Sequence, residues 1–260
     1  MEVELNEYIT LKLEEKSTVL YVAGERFRQC KRLILSIPKN QSERYDKIRS
    51  IDDASEVYNQ YLIENEIYIK KEGRLVESES TTSADIIIAP EEEFWGHCSN
   101  LQAWIESSYD SRLLHRSLAF PLLKKLVDAG DNTAKRAFKE GIAKRFEEGN
   151  SNVILYLITE GYMKYLNKDE LQSINLNSEK LAEVLITLLN KDENWDLDLS
   201  PIVDLGVLGL KVVLFIIKRG GWKWDEPLWY YGALKRFQQT IPHEFKRELI
   251  EFFSGEIFPL

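Results

Sequence analysis

Cys98 has the clearest potential for chemistry in this sequence, because two histidines lie near it along the chain. His97 precedes it directly and His115 follows further on. Either histidine could take the thiol proton and so activate the sulfur as a nucleophile. A thiol protease also needs a third group that orients the histidine, and no local signature around Cys98 supplies one. A cysteine-dependent hydrolase that uses Cys98 with His97 or His115 is therefore kept as the alternative function.

A structural role accounts for the same segment without chemistry. In this interpretation Phe94 and Trp95 are core anchors, Gly96 makes a tight turn, and His97 caps a helix end or satisfies a buried backbone group. Cys98 then behaves as a small apolar side chain. We favour this interpretation and predict that the protein is not an enzyme.

The sequence contains no pattern typical of a metal or cofactor site. Zinc usually takes four ligands, often from close pairs such as Cys-x-x-Cys. The two cysteines and three histidines of the chain form no such pair. Glu91–Glu93 and Asp52–Asp53 stand at predicted helix starts, where the helix dipole favours negative charge. Lys218-Arg-Gly-Gly lacks the preceding glycine of a phosphate loop. We predict no catalytic residue, no metal site and no cofactor.

The C-terminal part contains the best candidate for a binding surface. The segment Trp222-Lys-Trp-Asp-Glu-Pro-Leu-Trp-Tyr-Tyr holds three of the six tryptophans. Trp and Tyr are enriched in binding hot spots, but the same rings could fill the end of a helical core. The residues that we predict to contact a partner are Trp222, Trp224, Trp229, Tyr230, Lys246, Leu249, Phe252 and Phe253.

The last of these residues form a short motif. Lys246-Arg-Glu-Leu-Ile-Glu-Phe-Phe resembles the sliding-clamp-binding box, whose pattern is Gln-x-x-aliphatic-x-x-aromatic-aromatic. Leu249, Phe252 and Phe253 match this pattern, whereas Lys246 replaces the usual glutamine. An amphipathic last helix would produce the same spacing, because these apolar residues share one helix face.

Charge and hydropathy limit the class of partner. The formal net charge is −9 and the isoelectric point is about 5.1, whereas nucleic-acid-binding domains usually carry a basic stripe. The longest apolar stretch, residues 203–217, is too short and too charged for a spanning helix. The acidic start is unlike a signal peptide, and two cysteines do not make a disulfide framework. We therefore predict a cytoplasmic protein with protein partners, without membrane association or direct nucleic-acid binding.

Two segments predict strands near the start of the chain. Ile9–Leu13 alternates apolar and polar residues, as a strand with one buried face should, and Val19–Ala23 runs into the turn signal Gly24-Glu25. A third strand is expected over Phe27–Ile37. A helix capped by Ser50 or Asp52 should follow and end at about Ile63. Residues 70–85 are polar and read as a linker or long loop.

From Glu93 onward the apolar period becomes helical. Gly130-Asp131 should end one helix and open the next, and Gly149-Asn150 should end that one. Pro121 should start or kink a helix. A leucine stripe with helical spacing is formed by Leu113, Leu114, Leu118, Leu122, Leu123 and Leu126.

Several strings resemble an uncharacterised archaeal family whose members often carry this block in front of leucine-rich repeats. They include Glu93-Phe-Trp-Gly-His-Cys-Ser-Asn, Tyr21-Val-Ala-Gly-Glu-Arg-Phe, and Ile154-Leu-Tyr-Leu-Ile-Thr-Glu-Gly-Tyr. The likeness covers roughly residues 9 to 170. It implies an archaeal source and an adaptor or interaction role. After Leu171 the sequence departs from the repeat-bearing members, since no leucine-rich repeat series follows.

Together these patterns predict an α+β, mainly α fold. A small N-terminal antiparallel β region with one helix (residues 1–90) should precede an irregular, α-solenoid-like helical array (residues 91–260). The expected function is that of a non-catalytic adaptor or regulatory factor. It could act as a homodimer, paired through an edge strand or the aromatic C-terminal face, on a larger archaeal assembly such as the ribosome or the replication clamp.

Overall fold

The computed structural model describes the N-terminal two thirds of the chain almost continuously. The described residues are 1–28, 35, 39–64, 68–71, 74–77, 88–174, 179, 181–183, 209 and 212. Within them, an antiparallel sheet is followed by a series of helices. The predicted α+β, mainly α class is confirmed.

The N-terminal sheet has four antiparallel strands in sequential order. They are β1 (Glu2–Glu4), β2 (Ile9–Glu14), β3 (Ser17–Val22) and β4 (Glu25–Phe27). The strands predicted at Ile9–Leu13 and Val19–Ala23 are confirmed as β2 and β3. Of the third predicted strand, Phe27–Ile37, β4 includes Phe27, and most of the other residues lie outside the described residues. β1 was not predicted, because three residues are too few to show an alternating pattern.

β2 and β3 form the buried centre of this sheet. They pair from Ile9 opposite Val22 to Glu14 opposite Ser17, and a two-residue turn joins them. Both turn residues have positive φ, as the tight turns of β-hairpins require. The side chains of the two strands that are fully or almost fully buried are Ile9, Leu11, Val19, Leu20 and Val22.

Helix α1 (Ile51–Glu64) follows a short 3₁₀ helix (Lys39–Tyr45). The Ser50 hydroxyl accepts a hydrogen bond from the backbone N–H of Asp53 at 3.1 Å, so the predicted N-cap is confirmed. The sequence suggested a linker or long loop over residues 70–85, but part of this range is strand. β5 (Tyr68–Lys71) and β6 (Arg74–Glu77) pair as an antiparallel hairpin, and β5 contacts α1.

The remaining described elements are helical: α2 (Pro90–Glu106), α3 (Arg116–Asp128), α4 (Asn132–Glu148), α5 (Ser151–Thr159), a 3₁₀ helix (Tyr162–Tyr165) and α6 (Lys168–Ser173). The predicted boundaries at Gly130-Asp131 and Gly149-Asn150 are confirmed. Pro121 lies inside α3 rather than at its start, and costs that helix one backbone hydrogen bond. Leu113 and Leu114 precede α3 and do not extend its stripe.

The chain divides into two compact units, Met1–Gly141 and Ile142–Leu260. The division that the sequence places at residue 90 lies inside the first unit. This unit contains the N-terminal sheet and the helices α1 to α3, and it holds all the sites described below. None of the described helices combines the length and apolar character needed to cross a membrane.

Candidate functional site

Helix α2 is a two-sided element of the first unit. Proline at its first helical position and three glutamates in the first turn favour a helix start here. One side of α2 contacts β2 and β3. Its buried side chains recur at helical spacing, at Phe94, Cys98, Leu101 and Trp104. This stripe attaches α2 to the sheet and leaves the opposite side of the helix to solvent.

We call that opposite side the α2 outer face. It consists of Glu91, Glu92, Trp95, Gly96, Ser99, Gln102, Ala103 and Glu106. All of these residues are exposed except Gln102, which is half-buried. Its central feature is Trp95, whose side chain is 54% exposed. Tryptophan is enriched among the residues that contribute most of the binding energy in protein interfaces.

Trp95 is held in place from beneath by its neighbour. Phe94 is fully buried, and its ring meets the indole edge-on, with 5.4 Å between centroids and 73° between planes. The prediction that Phe94 is a core anchor is therefore confirmed, and the same prediction for Trp95 is wrong. Helical spacing could have distinguished the two residues, because only Phe94 lies on the buried stripe with Cys98 and Leu101.

Gly96 lies in the interior of α2 and makes no turn, so the predicted tight turn is wrong. A Cβ at this position would meet no atom of the described residues within 4 Å. Glycine inside a helix costs roughly 0.5–1 kcal/mol relative to alanine. Within the described part of the chain, neither backbone geometry nor packing requires glycine at this position beside Trp95.

The charge of α2 has one sign. The helix contains four glutamates and neither lysine nor arginine. Glu91 and Glu92 lie at its N-terminal end, and Glu106 closes it, where Gln102 Nε2 donates to Glu106 Oε1 at 2.7 Å. The fourth, Glu93, faces His97 at 3.3 Å. The α2 outer face therefore presents an indole, with the Glu91 and Glu92 carboxylates at one end of the helix and the Glu106 carboxylate at the other.

Cys98 has the environment of an inert thiol. It is a free cysteine whose side chain is 6% exposed, and burial raises its pKa. Less thiolate is then available at neutral pH, and the thiolate is the nucleophilic form. His97 Nε2 points to Glu93 and neither caps a helix end nor serves the thiol. These contacts support the interpretation of Cys98 as a small apolar residue.

His115 belongs to a different cluster, at the start of α3. Its Nε2 lies 3.5 Å from the buried Asp52 carboxylate, and its Nδ1 lies 2.7 Å from the Ser117 hydroxyl. The backbone N–H of Ser117 also donates to Nδ1, at 3.4 Å, so His115 is the N-cap of α3. The order carboxylate, imidazole, hydroxyl is that of a serine hydrolase.

A serine hydrolase also needs backbone N–H donors for an oxyanion, and the start of α3 offers none to this cluster. The N–H of Arg116 donates to Asp52, and those of Leu118 and Ala119 donate to the His115 carbonyl. With the Ser117 N–H on Nδ1, the first four donors of α3 are all used, and none is left there for an oxyanion. The Arg116 guanidinium pairs with Asp52 at 2.9 Å. The arrangement caps α3 and ties it to α1.

A third cluster surrounds the buried Tyr109. Its hydroxyl donates to Asp131 Oδ2 at 2.7 Å and accepts from Asn6 Nδ2 at 2.9 Å. Asp131 Oδ1 accepts from the Ala134 N–H at 2.9 Å and so caps α4. Burial, and next the Asp131 carboxylate, raise the pKa of Tyr109. The cluster joins the β1–β2 turn to the segment after α2 and to the start of α4.

The binding residues predicted from the sequence lie outside the described residues. These are Trp222, Trp224, Trp229, Tyr230, Lys246, Leu249, Phe252 and Phe253. Their role stays a prediction. In the part of the chain that is described, no group of three or more His, Cys, Asp or Glu side chains is arranged to hold a metal ion.

The chain was compared with protein families, curated proteins and solved structures. No protein-family model matches it, and neither a curated protein nor a solved structure shows significant similarity to it. The resemblance to the archaeal family stays a prediction from the sequence.

Proposed function

We propose that this protein is a non-catalytic interaction module that binds a protein partner through the α2 outer face. The observation that carries the proposal is the exposure of Trp95 on a helix whose other side is fixed to the sheet. A tryptophan on a rigid element can bury a large area on binding at little cost in side-chain entropy.

The contrast between the buried Phe94 ring and the exposed Trp95 ring supports the α2 outer face as the binding surface. Phe94 is fully buried, so its ring already supplies the hydrophobic stabilisation that this part of α2 gives to the core. Trp95 adds little to that core while its indole remains in water. An interaction role gives a reason for an apolar side chain that folding does not need.

The clusters that contain reactive residue types support a structural role for each of them. Cys98 is buried with a raised pKa, and His115 is engaged with Asp52 and Ser117. The cysteine-dependent hydrolase is therefore the weaker proposal. An adaptor or regulatory factor needs none of these groups to react.

The wider setting is part of the same proposal. The partner would belong to a larger assembly, with the ribosome and the replication clamp as candidates, of which only the clamp is suggested by a sequence motif, residues 246–253. The predicted C-terminal residues, among them Trp222 and Phe252, would form a second contact surface. A homodimer would use that surface or a sheet edge, because two α2 outer faces would repel one another through their glutamates.

A pull-down from an extract of the native source tests the proposal. Tagged wild-type protein is compared with Trp95→Ala and with Leu113→Ala, which removes a 44% exposed leucine away from α2. A protein retained at moderate salt by the wild type and by Leu113→Ala, but lost with Trp95→Ala, is the expected result. Equal retention by all three forms would contradict binding through the α2 outer face.

A further inference from the structure

We propose that the occupant of the α2 outer face is an amphipathic α-helix of the partner that carries lysine or arginine beside its apolar stripe. This inference rests on the proposed function and names the chemistry of the partner.

The middle of the α2 outer face is a flat strip of short side chains, bordered by the Trp95 ring. Gly96, Ser99 and Ala103 follow one another at spacings of three and four residues, which places them along one line of the helix surface. All three are exposed and short. Trp95 lies one turn before Ser99 and borders the strip. Helix axes approach to between about 8 and 10 Å depending on the side chains between them, so a strip of this kind admits a second helix closely.

The charge selects a cationic occupant. Glu91 and Glu92 precede the strip and Glu106 follows it, over about 22 Å of helix at 1.5 Å per residue. No lysine or arginine of α2 offsets them. Nucleic acid, an anionic lipid surface or a second α2 would be repelled, whereas lysine or arginine near both ends of a partner helix would be attracted. An arginine could also stack on the Trp95 indole.

The backbone favours a helix over an extended peptide. An added strand is held mainly by main-chain hydrogen bonds at a sheet edge. The main chain of α2 is occupied by its own helical hydrogen bonds, so the outer face can offer only side chains and close packing. Those are the means by which one helix recognises another.

The test uses the full chain and two synthetic peptides. The first is a capped helix of about 18 residues with alanine and leucine on one face and lysine and arginine on the flanks, a length that spans the distance from Glu91 to Glu106. The second has the same apolar face with glutamate in place of every lysine and arginine. Binding is measured by fluorescence anisotropy of a dye at the peptide terminus. The dissociation constant is determined at both about 50 and about 500 mM salt.

We expect the basic peptide to bind and the acidic peptide not to bind. Trp95→Ala should weaken binding roughly tenfold to thirtyfold, as for a hot-spot residue. Gly96→Ala should raise the thermal midpoint of the protein and yet weaken binding roughly fivefold, because its methyl group fills the strip. Ser99→Ala, which keeps the strip flat, is the matched control and should bind like the wild type.

Equal affinity for both peptides, or binding that is insensitive to both Trp95→Ala and Gly96→Ala, would overturn the inference. So would the absence of binding to the basic peptide. If the pull-down still depends on Trp95 in that case, the proposed function stands and only the chemistry of the partner is wrong. If neither assay depends on Trp95, the proposed function fails as well.

Discussion

Replacing Tyr109 by phenylalanine removes one oxygen atom from the cluster that joins the β1–β2 turn to the start of α4. The lost bond to Asp131 involves a carboxylate, and such bonds contribute about 1.5–3 kcal/mol. The lost bond from Asn6 joins neutral groups and contributes about 0.5–1.5 kcal/mol. Since the buried Asp131 keeps only part of its hydrogen bonding, we expect the free energy of unfolding to fall by about 2–4 kcal/mol.

Urea denaturation at pH 7 measures this change as a shift of the midpoint at constant slope. Tyr21→Phe is the matched control, because the Tyr21 hydroxyl also donates to a carboxylate, that of Glu14, but on the surface of the sheet. Its effect should be much smaller. A loss below about 0.5 kcal/mol for Tyr109→Phe would refute the reasoning that this cluster holds the segments together.

The pH dependence gives an independent check on the same residue. Burial and Asp131 hold the pKa of Tyr109 above its ordinary value of about 10, so the folded protein keeps the proton that the unfolded chain releases. The unfolded state then binds fewer protons, and wild-type stability falls as pH rises above about 10, by up to about 1.4 kcal/mol per pH unit. Tyr109→Phe has no hydroxyl proton to lose, so its stability lacks this dependence on pH. The stability difference between wild type and variant should therefore shrink between about pH 10 and pH 11.

Three further predictions concern the other clusters. Cys98 should react with iodoacetamide much more slowly than free cysteine at neutral pH, as followed by peptide mass spectrometry; faster reaction would revive the cysteine hydrolase. Ser117 should not be labelled by a fluorophosphonate probe, since the donors at the start of α3 are used; labelling that is lost in Ser117→Ala would contradict this. Arg116→Met should cost about 3 kcal/mol in urea denaturation, because the fully buried Asp52 loses its guanidinium partner. The double variant Asp52→Ala/Arg116→Met should lose less than the sum of the single changes, whereas strict additivity would mean that the pair does not interact.

Local patterns predicted the parts of the fold that depend on neighbouring residues. Alternation marked β2, an apolar run followed by a turn at Gly24 marked β3, and the capping residue Ser50 marked the start of α1. The β5–β6 hairpin was missed because each strand has only four residues and half of them are charged, so that no alternating pattern appears.

The candidate site was missed for a different reason. Residue type suggested that Trp95 was in the core and Gly96 in a turn, although both lie on the exposed side of a continuous helix. The helical period through Phe94 and Cys98 could have shown this. The Asn6–Tyr109–Asp131 cluster could not have been read from one sequence, because 103 residues separate Asn6 from Tyr109.

Site-specific photo-crosslinking tests the central claim most directly. A benzoylphenylalanine replaces Gln102, on the α2 outer face, in one form of the full chain and Leu113 in a second, so that Trp95 is kept in both, and both are irradiated in an extract of the native source. We predict one dominant protein crosslinked from position 102, with a segment rich in lysine or arginine at the junction, and none from position 113. No crosslink from position 102, or the same products from both positions, would contradict the claim that the α2 outer face is the docking surface.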